Sequence, residues 1–89
     1  MKVYFVHCEY YDYDEYAGGS MLLGVYSSME LAISARNDFV AAELADGECH
    51  HYIDDDNNPV IDKIFNGEVA ESNTYTIEEW TVVNDLSMS

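Results

Sequence analysis

The alternation of apolar and polar positions predicts two strands in the first third of the chain. Residues 2–9 carry β-branched and aromatic side chains on both alternating faces, which predicts a strand buried on both sides. Residues 21–26 predict a second strand. Residues 10–19 are acidic and rich in tyrosine and end in two glycines, so they predict a long loop that closes an antiparallel hairpin.

Three further strands are predicted in the second half. Residues 48–54 and 60–65 flank the segment 55–59, whose Asp, Asn and Pro residues favour a turn. Residues 67–73 are polar and predict another loop. Residues 74–83 are β-branched and aromatic and predict the last strand.

Between these two groups of strands the pattern predicts one helix, from about Ser28 to Ala45. Either Ser27 or Ser28 can cap it, and Ser27 with Glu30 three residues later fits a capping box. Gly47 supplies the C-terminal stop.

The helix carries two apolar lines when its residues are projected at about 100° each. The first line contains Leu31, Ala32, Ala35, Phe39 and Ala42. The second contains Ile33, Val40 and Leu44, and Arg36 and Glu43 separate it from the first. The two lines together predict either one wide face packed on a sheet, or a core face plus a contact surface for a second copy or a partner.

The predicted order is β-β-α-β-β-β, which indicates the α+β class: a small antiparallel β-sheet with one α-helix packed on one face. With 89 residues, 48% of them hydrophobic, the chain has room for one core. We expect a single acidic domain over residues 1–84 and a frayed C-terminal tail at residues 85–89.

Charge is the strongest compositional signal, with 18 acidic residues, 3 basic residues and a net charge of -15. Phosphate contacts need clustered Lys and Arg, so we expect no direct binding to nucleic acid or to an anionic membrane. The N-terminus has no long apolar region typical of a secretory signal. We therefore expect a cytoplasmic protein with Cys8 and Cys49 reduced.

Metal binding and catalysis find little support. Adjacent residues on a strand point to opposite faces, so His50 and His51 cannot readily share an ion. A metal-dependent domain using Cys49 and His51 is a third hypothesis, which elemental analysis would test. The run that starts at Asp54 resembles a calcium loop but has Pro and Phe where Gly and Glu are needed. No nucleophile elbow or phosphate loop is present, so we predict no enzyme, no cofactor and no metal.

The acidity has two interpretations, solubility or mimicry of nucleic acid. Duplex DNA carries one charge per roughly 1.7 Å, so 18 carboxylates equal about 30 Å of duplex. The tyrosines that alternate with acids in residues 10–16 are typical of protein interfaces, although some of these rings could instead close the end of the core.

A family resemblance lies in three segments: VYFVHCEY at 3–10, Asp14-Glu15, and LLGVYSSMELA at 22–32. They resemble an uncharacterised family of small bacterial and phage proteins, in which a strand ending in His-Glu-Tyr is followed by Ile-Gly-Val-Tyr-Ser-Ser before a helix. This chain has Cys8 where His is usual and lacks their Lys-rich helix. The resemblance implies the fold and no activity. Separately, size and acidity are similar to those of phage-encoded inhibitors of host defence, including anti-CRISPR proteins that imitate DNA.

The leading hypothesis is a non-enzymatic, phage-encoded DNA mimic that blocks a basic nucleic-acid-binding host protein, such as a CRISPR effector or a restriction component, in the host cytoplasm. The residues predicted to bind this partner are acids and tyrosines near the chain's turns and last strand: Asp12, Tyr13, Asp14, Glu15, Tyr16, Asp54, Asp55, Asp56, Glu78 and Glu79. The alternative is a structural or regulatory domain that self-associates as a homodimer through Ile33, Val40 and Leu44.

Overall fold

The structure is a computed structural model that describes residues 1–82. Its elements follow the chain as β1 (Lys2–Asp12), β2 (Ala17–Tyr26), α1 (Met29–Leu44), β3 (Cys49–Ile53), β4 (Pro59–Phe65) and β5 (Glu68–Thr81). The five strands form one antiparallel sheet with the order β2-β1-β5-β4-β3. The α+β class and the antiparallel sheet with one helix are confirmed. The predicted strand end at residue 83 and the predicted tail at residues 85–89 lie outside the described residues.

The first hairpin is longer than predicted, because most of the predicted loop 10–19 is strand. Strand β1 continues to Asp12 and β2 begins at Ala17, so only four residues form the turn. The glycines here allow close strand packing. A Cβ on Gly18 would lie 2.7 Å from the backbone oxygen of Tyr10, and one on Gly19 would lie 2.8 Å from the hydroxyl of the same tyrosine. Glycine in these positions marks a close approach rather than a turn.

The predicted loop 67–73 is also wrong. Asn66 and Gly67 have φ values of 53° and 79°, which suit the two-residue turn that Asn-Gly favours in hairpins. Strand β5 therefore starts at Glu68 and pairs with β4 on one side and along the whole of β1 on the other.

The helix begins as one of the two predicted caps requires. The side-chain oxygen of Ser28 accepts the N–H of Leu31 at 3.1 Å, so Ser28 is the cap and the predicted capping box of Ser27 with Glu30 is wrong. The chain leaves β2 at one edge of the sheet and enters β3 at the other edge. Helix α1 joins these two edges across one face.

The core lies between α1 and that face of the sheet. Cys8, Val40, Ile61 and Tyr75 pack together there, and Phe39 is half-buried against them. Val40 is only 7% exposed, which fits the wide face packed on the sheet and excludes this residue from a contact surface. Leu31, predicted for the core face, is instead 54% exposed. The packed face of the helix therefore lies between the two predicted lines and takes Ala32 and Phe39 from the first and Val40 from the second.

Candidate functional site

A cleft of about 700 Å³ opens beneath the C-terminal half of α1, at the end of the sheet where β1 turns into β2. Alternate residues of β1 and β5 line it in three register pairs, which are Cys8 with Tyr75, Tyr10 with Asn73, and Asp12 with Glu71. These pairs face the cleft because side chains on a strand alternate between its faces.

The helix forms the opposite wall of the cleft. Phe39, Ala42 and Glu43 line it, and their spacing places them on one side of the helix, while Asp46 lines it just beyond the C-terminal end of α1. The floor is apolar, since Phe39 and Leu23 pack against the core cluster. The upper wall is acidic, so the cleft combines an apolar base with a charged rim.

Glu43 is the centre of the polar network in the cleft. Tyr75 donates its hydroxyl hydrogen to Oε2 of Glu43 at 2.6 Å, and the side-chain amide of Asn73 donates to Oε1. The same amide nitrogen donates to Oε1 of Glu71 at 2.9 Å. Asn73 and Tyr75 are each only 4% exposed. Buried donors therefore hold both carboxylates in place.

One cation compensates part of this charge. The Nζ of Lys63 lies 3.7 Å from Oε1 of Glu43 and 3.9 Å from Oδ2 of Asp46. Within residues 1–82 no lysine or arginine pairs with Glu71 or Asp12. The cleft therefore keeps an excess of negative charge.

The two titratable groups at the bottom of the cleft stay protonated at neutral pH. Burial raises the pKa of the Cys8 thiol to about 11, and the charge of Glu43 adds to this effect. Burial also raises the pKa of Tyr75, with further contributions from its hydrogen bond to Glu43 and from the charge of that carboxylate. Tyr75 therefore acts as a hydrogen-bond donor, and Cys8 is not activated as a thiolate nucleophile.

The predicted partner-binding residues of the first turn have different roles. The Oδ1 of Asp12 accepts the N–H of Asp14 at 2.9 Å and that of Glu15 at 3.3 Å, so Asp12 shapes the turn. Tyr16 is 82% exposed with a φ of 52°. The ring of Tyr13 is half-exposed and packs edge-on against the ring of Tyr11 at 4.8 Å between centroids.

The turn between β3 and β4 is also shaped by an aspartate that accepts hydrogen bonds from backbone N–H groups. The half-buried Asp54 accepts the N–H of Asp56 at 3.0 Å and that of Asn58 at 2.8 Å through its Oδ1. Asp54 therefore holds the turn, while Asp55 and Asp56 are exposed.

Glu78 and Glu79, the last two predicted acids, point to opposite faces of β5 because they are neighbours on a strand. Glu79 pairs with Lys2 at 2.8 Å, and Glu78 lies 3.5 Å from His7. Along the sheet, the eight residue steps from Glu71 to Glu79 span about 26 Å. The structure thus separates the acids of the first turn from those near the end of β5.

The remaining predicted sites are also dispersed. Ile33 and Leu44 are 38% and 36% exposed, but Val40 between them belongs to the core. Cys49 and His51 share a face of β3, and the Sγ of Cys49 lies 3.9 Å from the carbonyl oxygen of Leu44. In the described part of the chain no three His, Cys, Asp or Glu side chains converge into a group that could hold a metal ion. Across residues 1–82, no helix has the length and hydrophobicity needed to cross a membrane.

The sequence reasoning missed the cleft and the network around Glu43. The signal in the sequence that points to both is the series of alternate residues Glu71, Asn73, Tyr75 and Ile77, which changes from polar to apolar along one face of β5. That alternation becomes visible only if Asn66-Gly67 is recognised as a tight turn, because β5 then starts early enough to include it.

Comparisons of the chain with protein-family models, with curated proteins and with solved structures found no match.

Proposed function

We propose that this chain is a non-enzymatic binding protein that uses its carboxylates to occupy the basic, nucleic-acid-binding surface of another protein. The observation that carries the proposal is the distribution of charge. Every acidic residue in the range 1–82 is exposed or half-buried. Both lysines are already paired with carboxylates, and Arg36 is half-buried. A basic partner therefore meets a surface with almost no repelling charge.

The spacing of the charge refines the kind of nucleic acid that the protein imitates. The molecule is 58 Å long, so the 17 acids of residues 1–82 amount to about one charge per 3.4 Å of length. Duplex DNA carries one per roughly 1.7 Å and each of its strands one per roughly 3.4 Å. The charge density is thus closer to that of a single strand, and the target is a protein that binds single strands or one strand of a duplex.

The free acids and tyrosines of the two turns are the residues that meet the partner. Asp14, Glu15 and the exposed Tyr16 project from the first turn, while Asp55 and Asp56 project from the turn between β3 and β4. Tyrosine supplies a large contact area at low cost in conformational entropy, and the carboxylates steer a basic partner towards it. Compositional likeness to phage inhibitors of host defence suggests a CRISPR effector or a restriction component as the target.

The test is capture of a nucleic-acid-binding protein by the immobilised chain. Bacterial lysate is passed over the chain at about 0.1 M salt, and bound protein is eluted at about 0.5 M, where exposed charges are strongly screened. We expect one nucleic-acid-binding protein in stoichiometric amount, displaced by a single-stranded oligonucleotide at lower concentration than by duplex. Recovery of no such protein, or of one that oligonucleotides do not displace, would contradict the proposal.

A matched pair of variants separates a docking surface from net charge alone. The pair D55N/D56N and the pair E30Q/D38N each remove two exposed carboxylates outside the cleft, from the turn between β3 and β4 and from α1 respectively. We expect the turn variant to lose more affinity for the captured protein than the helix variant. Equal losses in the two variants would show that bulk charge, rather than the turn, makes the contact.

A further inference from the structure

The cleft beneath α1 has a chemistry that the surface charge does not explain. Its floor is built from Cys8, Leu23 and Phe39, which belong to the core or pack against it. Solubility and charge repulsion require exposed carboxylates, and neither requires an apolar concave floor beneath them. Cavities of about 300–1,000 Å³ that combine apolar walls with a few convergent polar groups are typical of ligand sites, and this one measures about 700 Å³.

The polar groups of the cleft select the charge of a ligand. Glu43 and Glu71 contact the same amide nitrogen of Asn73, so their nearest oxygens lie within about 6 Å of each other. Asp12 is the cross-strand neighbour of Glu71, and like charges in that position repel. Lys63 is the cross-strand neighbour of Glu71 on β4, but its ammonium group pairs with Glu43 and Asp46, so no Lys or Arg of residues 1–82 forms an ion pair with Glu71. A second positive charge in the cleft would relieve this repulsion.

One exposed tyrosine adds to the recognition of a cation. Tyr75 is only 4% exposed and belongs to the floor, with its hydroxyl committed to Glu43, whereas the 41%-exposed Tyr10 lines the mouth. Aromatic rings attract Lys and Arg head groups placed over their faces. An apolar floor, an acidic rim and an aromatic side chain at the mouth together match a long aliphatic chain that ends in a positive group.

We propose that this cleft binds an aliphatic chain that ends in an ammonium or guanidinium group, with the chain on the apolar floor and the head group against Glu71 and Asp12 at the rim. The ligand is either an arginine or lysine side chain of the target protein or a free linear amine. In the first case the cleft specifies how the proposed inhibitor holds its target and rests on that proposed function. In the second case the cleft is an independent small-molecule site.

The direct experiment is a titration of the isotopically labelled chain by amide chemical shifts. The probes are agmatine, which has a guanidinium on a four-carbon chain, and an acetylated arginine methylamide; methylammonium serves as a control for charge without a chain. We expect saturable shifts at Ala42 and Tyr75 with one or both probes, and none with methylammonium. Absence of saturable shifts with both probes, or identical shifts with methylammonium, overturns the proposal.

A matched pair of helix variants fixes the location. Ala42 lines the cleft and Ala41 does not, while both are exposed on α1. Leucine is almost as good a helix former as alanine, so neither A42L nor A41L should disturb the fold, which circular dichroism will check. We expect A42L to abolish the saturable shifts and A41L to retain them. Equal binding by the two variants overturns the proposal.

A second pair tests the charge. Replacing one carboxylate about 4 Å from the head group removes an attraction that weakens binding about fivefold in a water-exposed site. We therefore expect E71Q to weaken agmatine binding by about that factor. D38N, which removes an equal charge outside the cleft, should leave it unchanged. Equal weakening by both variants would indicate bulk electrostatics and contradict the site.

The same variants distinguish the two ligand sources and separate this proposal from the proposed function. If A42L also weakens capture of the target protein, the natural ligand is a side chain of that protein. If agmatine binds and A42L captures the target normally, the ligand is a free amine. Agmatine binding without any target displaced by oligonucleotides supports the cleft and refutes the inhibitor. Capture of a target that oligonucleotides displace, without binding of either probe, supports the inhibitor and refutes the cleft.

Discussion

Removal of the Tyr75 hydroxyl is the most direct test of the network around Glu43. Y75F keeps the ring that packs with Cys8, Val40 and Ile61 and deletes only the donor 2.6 Å from Oε2 of Glu43. A hydrogen bond to a charged group contributes about 1.5–3 kcal/mol. Because Glu43 keeps the Asn73 amide and Lys63, we expect the free energy of unfolding to fall by about 2 kcal/mol.

The magnitude translates into a measurable change in thermal stability. For a domain of 60–100 residues, 1 kcal/mol shifts Tm by roughly 4–8 °C, so Y75F should melt about 8–16 °C below the parent chain. Urea unfolding followed by far-ultraviolet circular dichroism gives the free energy directly. The matched control is Y16F, which removes a hydroxyl from a ring that is 82% exposed; its effect should stay within about 0.5 kcal/mol.

A double-mutant cycle with E43Q assigns the effect to the pair. We expect an interaction energy of about 1–2 kcal/mol between the two positions, because residues joined by a hydrogen bond do not contribute additively. A loss in Y75F no larger than that in Y16F, or an interaction energy near zero, would refute the conclusion that Glu43 is held by Tyr75.

Three further predictions concern stability and association. The pKa of Cys8 rises from 9.0 to about 11 on folding, so stability is retained below pH 9 and lost as the pH rises towards 11. The loss is about 1–2 kcal/mol allowing for solvent screening. Urea titrations should show it in the parent chain, and an equal loss in C8A would argue against it. The free energy of unfolding of G18A should be lower than that of G19A by at least about 1 kcal/mol. The Cβ at position 18 meets a backbone atom at 2.7 Å, whereas the Cβ at position 19 meets a tyrosine ring that can turn. Calorimetry of both variants measures this difference, and a G19A variant less stable than G18A would contradict the prediction. Finally, I33S/L44S should leave the sedimentation coefficient unchanged, since Val40 between the two positions is buried; dissociation of a dimer in this variant would instead support self-association through α1.

Local signals in the sequence predicted part of the fold. Ser28 caps α1 through its own side chain, and Asp54 closes the turn before β4 through hydrogen bonds that reach at most four residues along the chain. Such contacts depend on neighbouring residues alone, so the sequence indicates them directly.

The misjudged features depend on contacts that are distant in the sequence. Which residues of the two apolar lines of α1 become buried is decided by its packing on the sheet, and this places Val40 in the core and leaves Leu31 exposed. The pair Gly18-Gly19 is typical of a loop when the sequence is read alone, whereas in the structure it leaves room for Tyr10 of the facing strand. The cleft depends on the register between β1 and β5, which neither strand specifies by itself.

The position of β1 between β2 and β5 has a consequence for how the chain reaches its native state during synthesis. Strand β1 pairs with β2, which follows it closely, but residues 2–12 also pair with residues 71–81. Until those late residues leave the ribosome, one long edge of the first hairpin stays open, and such edges can pair with other chains. Closure of the sheet is therefore a late event of high contact order, which favours slow folding. Eighteen carboxylates on a chain of 89 residues would keep neighbouring nascent copies apart during that interval.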